Sequence, residues 1–410
     1  VSYTATDHDA VLKDWYTDER IQDLSAYHNP FFGMVKKEMQ GGRKYVQPID
    51  IQLPGGGSAS YAKSRTNQTK SLWEAFELTR VTQYQLATVG NHVIRATQND
   101  RAAFLPAFKE FDRAFRACGD KIARQMFRTT GGSIGRISTS TTLAGADIVL
   151  TDPADAFNFY VGQLLTSDTV DGGGTETDSG DTLAVTAVDV ENGIITVAEN
   201  IDTVSGIAHG DYLFTDGDYG ACMAGLASWL PVDRSVLSTP FYGVTRSTHE
   251  DKLGGIYLDA SAMQIDEAII KLVAKVHKHG GMVDRVLGNP ETLSDLQLLW
   301  NGKRQMTDVE ARVSPVVGYP GFKVNVPGGG AVEFYSDRNC PSNRLYALQM
   351  DTWTLYHAGE CPGFLLKGLG SAYSGILLPV ADADDWESRI GGYFNLGCSA
   401  PGFNGVAKLA

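Results

Sequence analysis

Residues 99–130 read NDRAAFLPAFKEFDRAFRACGDKIARQMFRTT, and the spacing of their apolar side chains organises the rest of the chain. Phe104, Phe108, Phe111, Phe115, Cys118, Ile122 and Met126 recur at intervals of three or four, which keeps all seven on one face of an α-helix. Acid-before-base pairs occupy the opposite face: Glu110 with Arg113, Asp112 with Arg116, Asp120 with Arg124. Asn99 or Asp100 is placed to cap the start, and Gly131-Gly132 follows the end. Pro106 lies inside the pattern, so the helix is expected to begin near it or kink there. From Asp100 to Phe127 such a helix runs ~40 Å at ~1.5 Å per residue. Its core stripe is Phe104, Phe108, Phe111, Phe115, Ile122 and Met126.

Upstream, residues 73–96 carry Trp73, Phe76, Leu78, Val81, Tyr84, Leu86 and Val93, the composition of one or two strands leading into the helix. Before them, Arg43–Leu53 places Tyr45, Ile49, Ile51 and Leu53 at even spacing, a strand with one apolar face. Pro54-Gly55-Gly56-Gly57 turns the chain, and Ser58–Ala62 is the expected return strand, followed by a polar run from Lys63 to Lys70. A two-stranded ribbon is marginal alone in water, so this one must pack on another surface. Residues 1–32 read as an arm, with a short helix at Asp9–Tyr16, a second turn around Ile21 and Leu24, and a turn signal at Asn29-Pro30. Trp15, Tyr16, Phe31 and Phe32 are too many aromatics for so short a segment to bury alone. The arm must dock on its own body or on a neighbour.

Downstream the texture changes. Ile148–Gly220 reads as a β-rich module, with Ala184–Val190 and Ile194–Val197 joined at Asn192-Gly193, an expected type I′ hairpin. The acidic Gly/Ser/Thr tract 167–181 reads as an exposed loop. Two helices follow. One has capping-box spacing at Ser261 and Gln264 and a stripe of Ile265, Ile269, Leu272 and Val276. The other has Asn289 as cap, Pro290 in first position, and Leu293, Leu296 and Trp300 on one side. Strand-like runs return at Phe322–Val326, Val332–Tyr335, Leu345–Gln349 and Trp353–Tyr356, and the tail alternates from Trp386.

At 410 residues, with 43% hydrophobic and 20% charged side chains, the chain is a folded protein of more than one core or one core with large excursions. A net charge of −13 argues against a general nucleic-acid binder, although a container that merely tolerates packed DNA remains compatible with it. Five dispersed cysteines without a CxxC read as reduced thiols. No apolar run is long enough to span a bilayer, and the chain opens on Val1 without a charged-then-apolar leader.

Candidate chemistry fails on context. Gly131-Gly132-Ser133-Ile134-Gly135 follows a helix, whereas a phosphate loop follows a strand and opens a helix. His277 and His279 stand ~200° apart around a helix and cannot share a metal. Asp382, Asp384, Asp385 and Glu387 lack the glycine and distal glutamate of a calcium loop. Asp211, Asp216 and Asp218 are turn residues, and Ser133 has no nucleophile elbow. Asn67-Gln68-Thr69 matches a glycosylation acceptor, but nothing suggests secretion. The sequence therefore nominates no catalytic, cofactor-binding or metal-binding residue.

Taken in order, the elements are an arm, a projecting hairpin, strands, a long helix, then a mixed domain with a late return to strands. Together with Asn29-Pro30-Phe31, Gly42-Arg43-Lys44-Tyr45-Val46, Asp337-Arg338-Asn339-Cys340-Pro341, Arg344-Leu345-Tyr346-Ala347-Leu348 and Gly397-Cys398-Ser399-Ala400-Pro401-Gly402-Phe403, this order resembles the major capsid protein of tailed bacteriophages. The resemblance implies an α+β fold of the Hong Kong 97 type. Residues 1–40 would be the N-terminal arm, 41–72 the extended loop, and 73–130 the peripheral domain with its spine helix. Residues 131–351 would be the axial domain with a β-rich insertion at about 148–220. Residues 352–393 would return to the peripheral domain, and 394–410 would form the axial C-terminal segment. Inter-subunit contacts would fall on Tyr45, Ile49, Ile51, Leu53, Tyr61 and Lys63 of the loop and on Trp15, Tyr16, Phe31 and Phe32 of the arm.

The implied function is a virion subunit that self-assembles in the host cytoplasm into hexamers and pentamers around double-stranded DNA. Its partners would be itself, a scaffolding protein, a portal and a decoration protein, with no membrane, no cofactor and no enzymatic activity. The alternatives are a shell around protein cargo, a β-rich phage surface or tail binding module, and a hydrolase using Asp or His of the β-module.

Overall fold

A computed structural model describes residues 29–92, 101–173, 181–204, 206–301, 323–326, 330–365 and 378–410. Within them lie three six-stranded sheets and a two-stranded ribbon. The arm aromatics Trp15 and Tyr16, and the side chains of Phe104, Phe108 and Trp300, fall outside the described residues.

The first sheet is built on the strand Asp385–Cys398. Val81–Gly90 runs antiparallel along one edge of it for ten residues. Leu378–Pro379, Gly363–Phe364 and Trp353–His357 follow one another along the other edge. Lys36–Met39 then adds in parallel to Trp353–His357. The helix Arg101–Gln125 crosses this sheet. It begins upstream of Pro106 rather than at it, and the proline sits in the second turn. Phe111, Cys118, Ile122 and Met126 are buried with Phe31, Val89, Ile390 and Phe394 in one core, each large side chain contributing about 1.5–3 kcal/mol of burial. Phe115 is only half-buried and stacks on Phe364, 5.6 Å between ring centres.

The centre of this core is a residue the periodicities do not mark. Trp229 is fully buried and lies 5.1 Å from Phe76, 5.0 Å from Phe241 and 6.5 Å from Trp353. Its indole N–H donates to the Leu396 carbonyl at 3.1 Å. Beside it, Asn404 joins two sheets. Its Oδ1 accepts from the Trp353 indole and from the Gln349 backbone, both at 2.9 Å, and its Nδ2 donates to Thr352 at 3.0 Å.

The second sheet takes the order Ile256–Asp259, Gly405–Lys408, Arg344–Leu348, Arg285–Gly288, Gly330–Ser336, Lys323–Val326. Helices Ile265–Lys278 and Pro290–Asn301 cover it with a separate core of Ile269, Leu272, Val276, Leu293 and Leu296. Asn289 caps the second helix as the sequence predicts, its Oδ1 accepting from Glu291 N at 3.0 Å. The capping box at Ser261 does not form. That helix starts at Ile265 behind Gln264, and the Ser261 hydroxyl instead donates to Asp259 at 2.7 Å.

The third sheet is the β-rich module. It starts earlier than the sequence suggests, at Gly135, and closes through Tyr212–Thr215 around Ile137, Ile148, Leu165, Ile195 and Leu213. Its hairpin is present, but the turn is not type I′, because only Gly193 has a positive φ (67°). Asp189 and Ile194 pair across a four-residue loop, and the Asp189 carboxylate accepts from the backbone N–H of Glu191 and Asn192 at 3.1 Å. The Asn192 side-chain amide, reinforced by those backbone bonds, holds the Asp189 carboxyl below its usual range.

Candidate functional site

The ribbon differs from its sequence reading in partner and in extent. Lys44–Gln52 pairs not with Ser58–Ala62 but with Leu72–Thr79, in the register Lys44↔Thr79 to Gln52↔Leu72. Tyr61–Thr66 forms a short helix instead. Nineteen residues thus separate the paired strands.

Alternation along the ribbon gives it one inward face. Gln47, Ile49, Ile51, Phe76 and Leu78 are buried, and the four apolar ones belong to the core around Trp229. Lys252 Nζ clasps the Ile51 carbonyl, and Tyr45 stacks on Tyr356 with ring centres 4.1 Å apart and hydroxyls 3.1 Å apart. Burial, then the neighbouring Tyr45 hydroxyl, pushes the Tyr356 phenol well above its ordinary value. Ile49 and Ile51 are thus taken by the chain's own core, and as neighbour contacts they are corrected. The same holds for Phe31, which is fully buried 5.2 Å from Phe127. Asn29-Pro30 is not a turn but the start of a short helix, Pro30–Met34. Lys36–Met39, which the sequence reading assigns to the arm, is a strand of the first sheet. Phe32 is half-buried, with the Lys37 ammonium 3.9 Å over its ring.

Beyond Gln52 the ribbon has no inward face: no residue from Gln52 to Trp73 is buried. The tip holds its own shape. Gly55 N donates to Thr69 Oγ1 at 2.8 Å, and Thr69 N returns a bond to the Gly55 carbonyl at 3.2 Å. Gly56 must be glycine there, since its φ is +100° and a Cβ would sit 2.3 Å from the Asn67 carbonyl oxygen. Apolar side chains are left in solvent, with Leu53 75%, Tyr61 83% and Trp73 62% exposed. Residues 53–71 carry Lys63, Arg65 and Lys70 and no acid, so the tip is basic on a strongly acidic protein.

A second apolar surface lies on the outer face of the first sheet. Tyr84, Leu86 and Tyr393 are exposed there, and the two tyrosine rings meet edge-on at 6.3 Å. Neither the Trp229 hub nor this outer face carries a local sequence signal. Only the even positions Tyr84 and Leu86, out of phase with buried Gln83, Ala87 and Val89, hint at it.

The described residues assemble no reacting constellation. Burial pushes the Cys118 thiol up to about 11 and those of Cys222, Cys361 and Cys398 up to about 12, which keeps them protonated and weak as nucleophiles. His279 sits 4.0 Å from the Asp251 carboxylate at a helix end, Asp384 accepts from Asn91, and Glu387 pairs with Arg389. Among the described residues no group of three or more His, Cys, Asp or Glu could hold a metal ion, and no helix is long and apolar enough to cross a membrane.

No family model matches the chain, and no curated protein matches it. Solved structures do. A chain of the cyanophage A-1(L) capsid asymmetric unit aligns with 99% of this chain and 99% of its own length, at 12% identity and a TM-score of 0.55. The capsid of the native GTA particle aligns over 100% of both chains at 11% identity and 0.48. Mycobacterium phage Cain aligns over 100% and 99% at 12% and 0.44. The first of these likenesses establishes the fold. The chain has the fold of that phage capsid chain.

Proposed function

We propose that this chain is the structural subunit of a viral capsid, which self-assembles into hexamers and pentamers of an icosahedral head enclosing double-stranded DNA. One observation carries the reading beyond the fold. The ribbon tip exposes Leu53, Tyr61 and Trp73 on a self-locked loop, although its stem is anchored deep in the body. Exposed apolar side chains on a pre-formed projection are unfavourable for an isolated molecule and favourable once a neighbour covers them. The three basic residues of the tip add attraction toward a neighbour whose net charge is negative. The subunit's role is structural, and its place is the virion.

The test is electron microscopy and sedimentation of the full-length recombinant protein, alone and with its scaffolding protein. Closed shells or free capsomers are expected. A persistent monomer under both conditions overturns the reading.

A further inference from the structure

Where the β-module meets the helix Arg101–Gln125, the surface carries an apolar patch beside crowded arginines. Phe157 is 57% exposed, Tyr160 58% and Val161 64%, on consecutive turns of the module. Arg124 reaches under them and donates to the Asn158 carbonyl at 2.8 Å, while its Nε–H meets no acceptor. Burial, with Arg128 and Arg338 nearby, pulls the Arg124 guanidinium down to about 10. Arg128 is engaged by Asp155, and exposed Arg116 lies two helical turns before Arg124.

The chain enters the described structure at this spot. Asn29 Nδ2 donates to Asp120 Oδ1 at 2.6 Å, one helical turn from Arg124. Asn339 Nδ2 donates to Asn29 Oδ1 at 2.9 Å, and Phe31 N donates to Asp337 at 3.2 Å, on either side of Arg338. The 28 residues before Asn29 hold six acids (Asp7, Asp9, Asp14, Asp18, Glu19, Asp23) against Lys13 and Arg20, a side-chain charge of −4. Their apolar members Ile21 and Leu24 are three apart, next to Asp18, Glu19 and Asp23. At ~3.3 Å per residue the five residues 24–28 cover ~16 Å, ample to pass from Asp120 across one helical turn to Asn158.

We infer that the patch Phe157–Val161, rimmed by Arg116, Arg124 and Arg338, is the docking surface for this chain's own residues 14–27. The segment lays Ile21 and Leu24 on Phe157 and Val161, and its carboxylates face the arginines. The surface serves a single subunit, so it stands independently of the assembly reading.

The experiment is limited trypsin digestion of the unassembled full-length protein, following cleavage after Arg20 by mass spectrometry. Slow cleavage is expected, at least tenfold slower than in Phe157→Asp/Val161→Asp, in Arg116→Glu, and in Asp18→Asn/Glu19→Gln/Asp23→Asn. All the substituted body residues are exposed, and an unchanged melting temperature confirms that each variant folds. Raising the salt concentration is expected to speed cleavage of the wild type toward the variants' rate. Equal rates in wild type and variants, fast or slow, overturn the proposal. Protection that appears only as protein concentration is raised assigns the patch to a second copy's arm and overturns it as well.

Discussion

Two excursions leave the body of this protein, and they solve the problem of being an excursion in opposite ways. The β-module closes its own sheet around Ile137, Ile148, Leu165, Ile195 and Leu213 and needs nobody else to bury them. The ribbon tip encloses nothing. It is fixed by two hydrogen bonds between Gly55 and Thr69 and leaves Leu53, Tyr61 and Trp73 in water. The difference teaches where stability and association are stored. The module contributes to the folded state of one chain, whereas in the proposed assembly the tip contributes only when a second chain arrives.

That contrast can be broken most severely by replacing Leu53–Ser71 with a two-residue Asn-Gly turn, which suits the Gln52↔Leu72 pairing. Assembly measured by sedimentation is expected to be lost, with the melting temperature of the subunit unchanged; a large drop in melting temperature would show the tip to be part of the core. Next in size is Phe76→Ala in the buried stem, only three residues beyond exposed Trp73. Removing this ring from the Trp229 cluster is expected to cost about 3–5 kcal/mol in denaturant unfolding. Ile195→Ala inside the module is expected to cost about 2–5 kcal/mol of its unfolding while leaving the body's hydrogen-exchange protection intact. Protection lost everywhere would mean the two fold as one unit. Smallest is Trp73→Ser, expected to shift chemical stability by no more than ~0.5 kcal/mol while weakening assembly severalfold in light scattering.

How much of this was legible depends on how local the signal is. The stripe Phe111–Met126 and the Asn289-Pro290 cap are written within a few turns of chain, and the structure contains both. The ribbon's first strand was legible for the same reason. Its partner was not, because nineteen residues of glycine-rich loop and helix intervene and the nearer candidate, Ser58–Ala62, alternates equally well. Ile49, Ile51 and Phe31 read as apolar residues in want of a partner. Only the fold shows that the partner is the chain's own Trp229 and Phe127 neighbourhood. Trp229 itself gathers Phe76, Phe241 and Trp353 from distant parts of the chain, and no window of sequence holds them together. At Asn192-Gly193 the residue types mark a turn but not its geometry, because the Asp189 carboxylate supplies bonds that a two-residue turn would not need.

The strand Asp385–Cys398 has a consequence for the order of events during synthesis. Val81–Gly90 pairs with it, and Lys36–Met39 waits for Trp353–His357, so both pairings bridge roughly 300 residues of chain. Contacts of such long sequence separation form slowly and cannot form before their distal halves have left the ribosome. The stem of the ribbon docks on a core that includes Ile390, Phe394 and Leu396, so its foundation is made long after the ribbon itself. A nascent chain therefore has a tip but no anchored base from which to present it. In the proposed assembly, the tip can reach for a neighbour only after its base has been made.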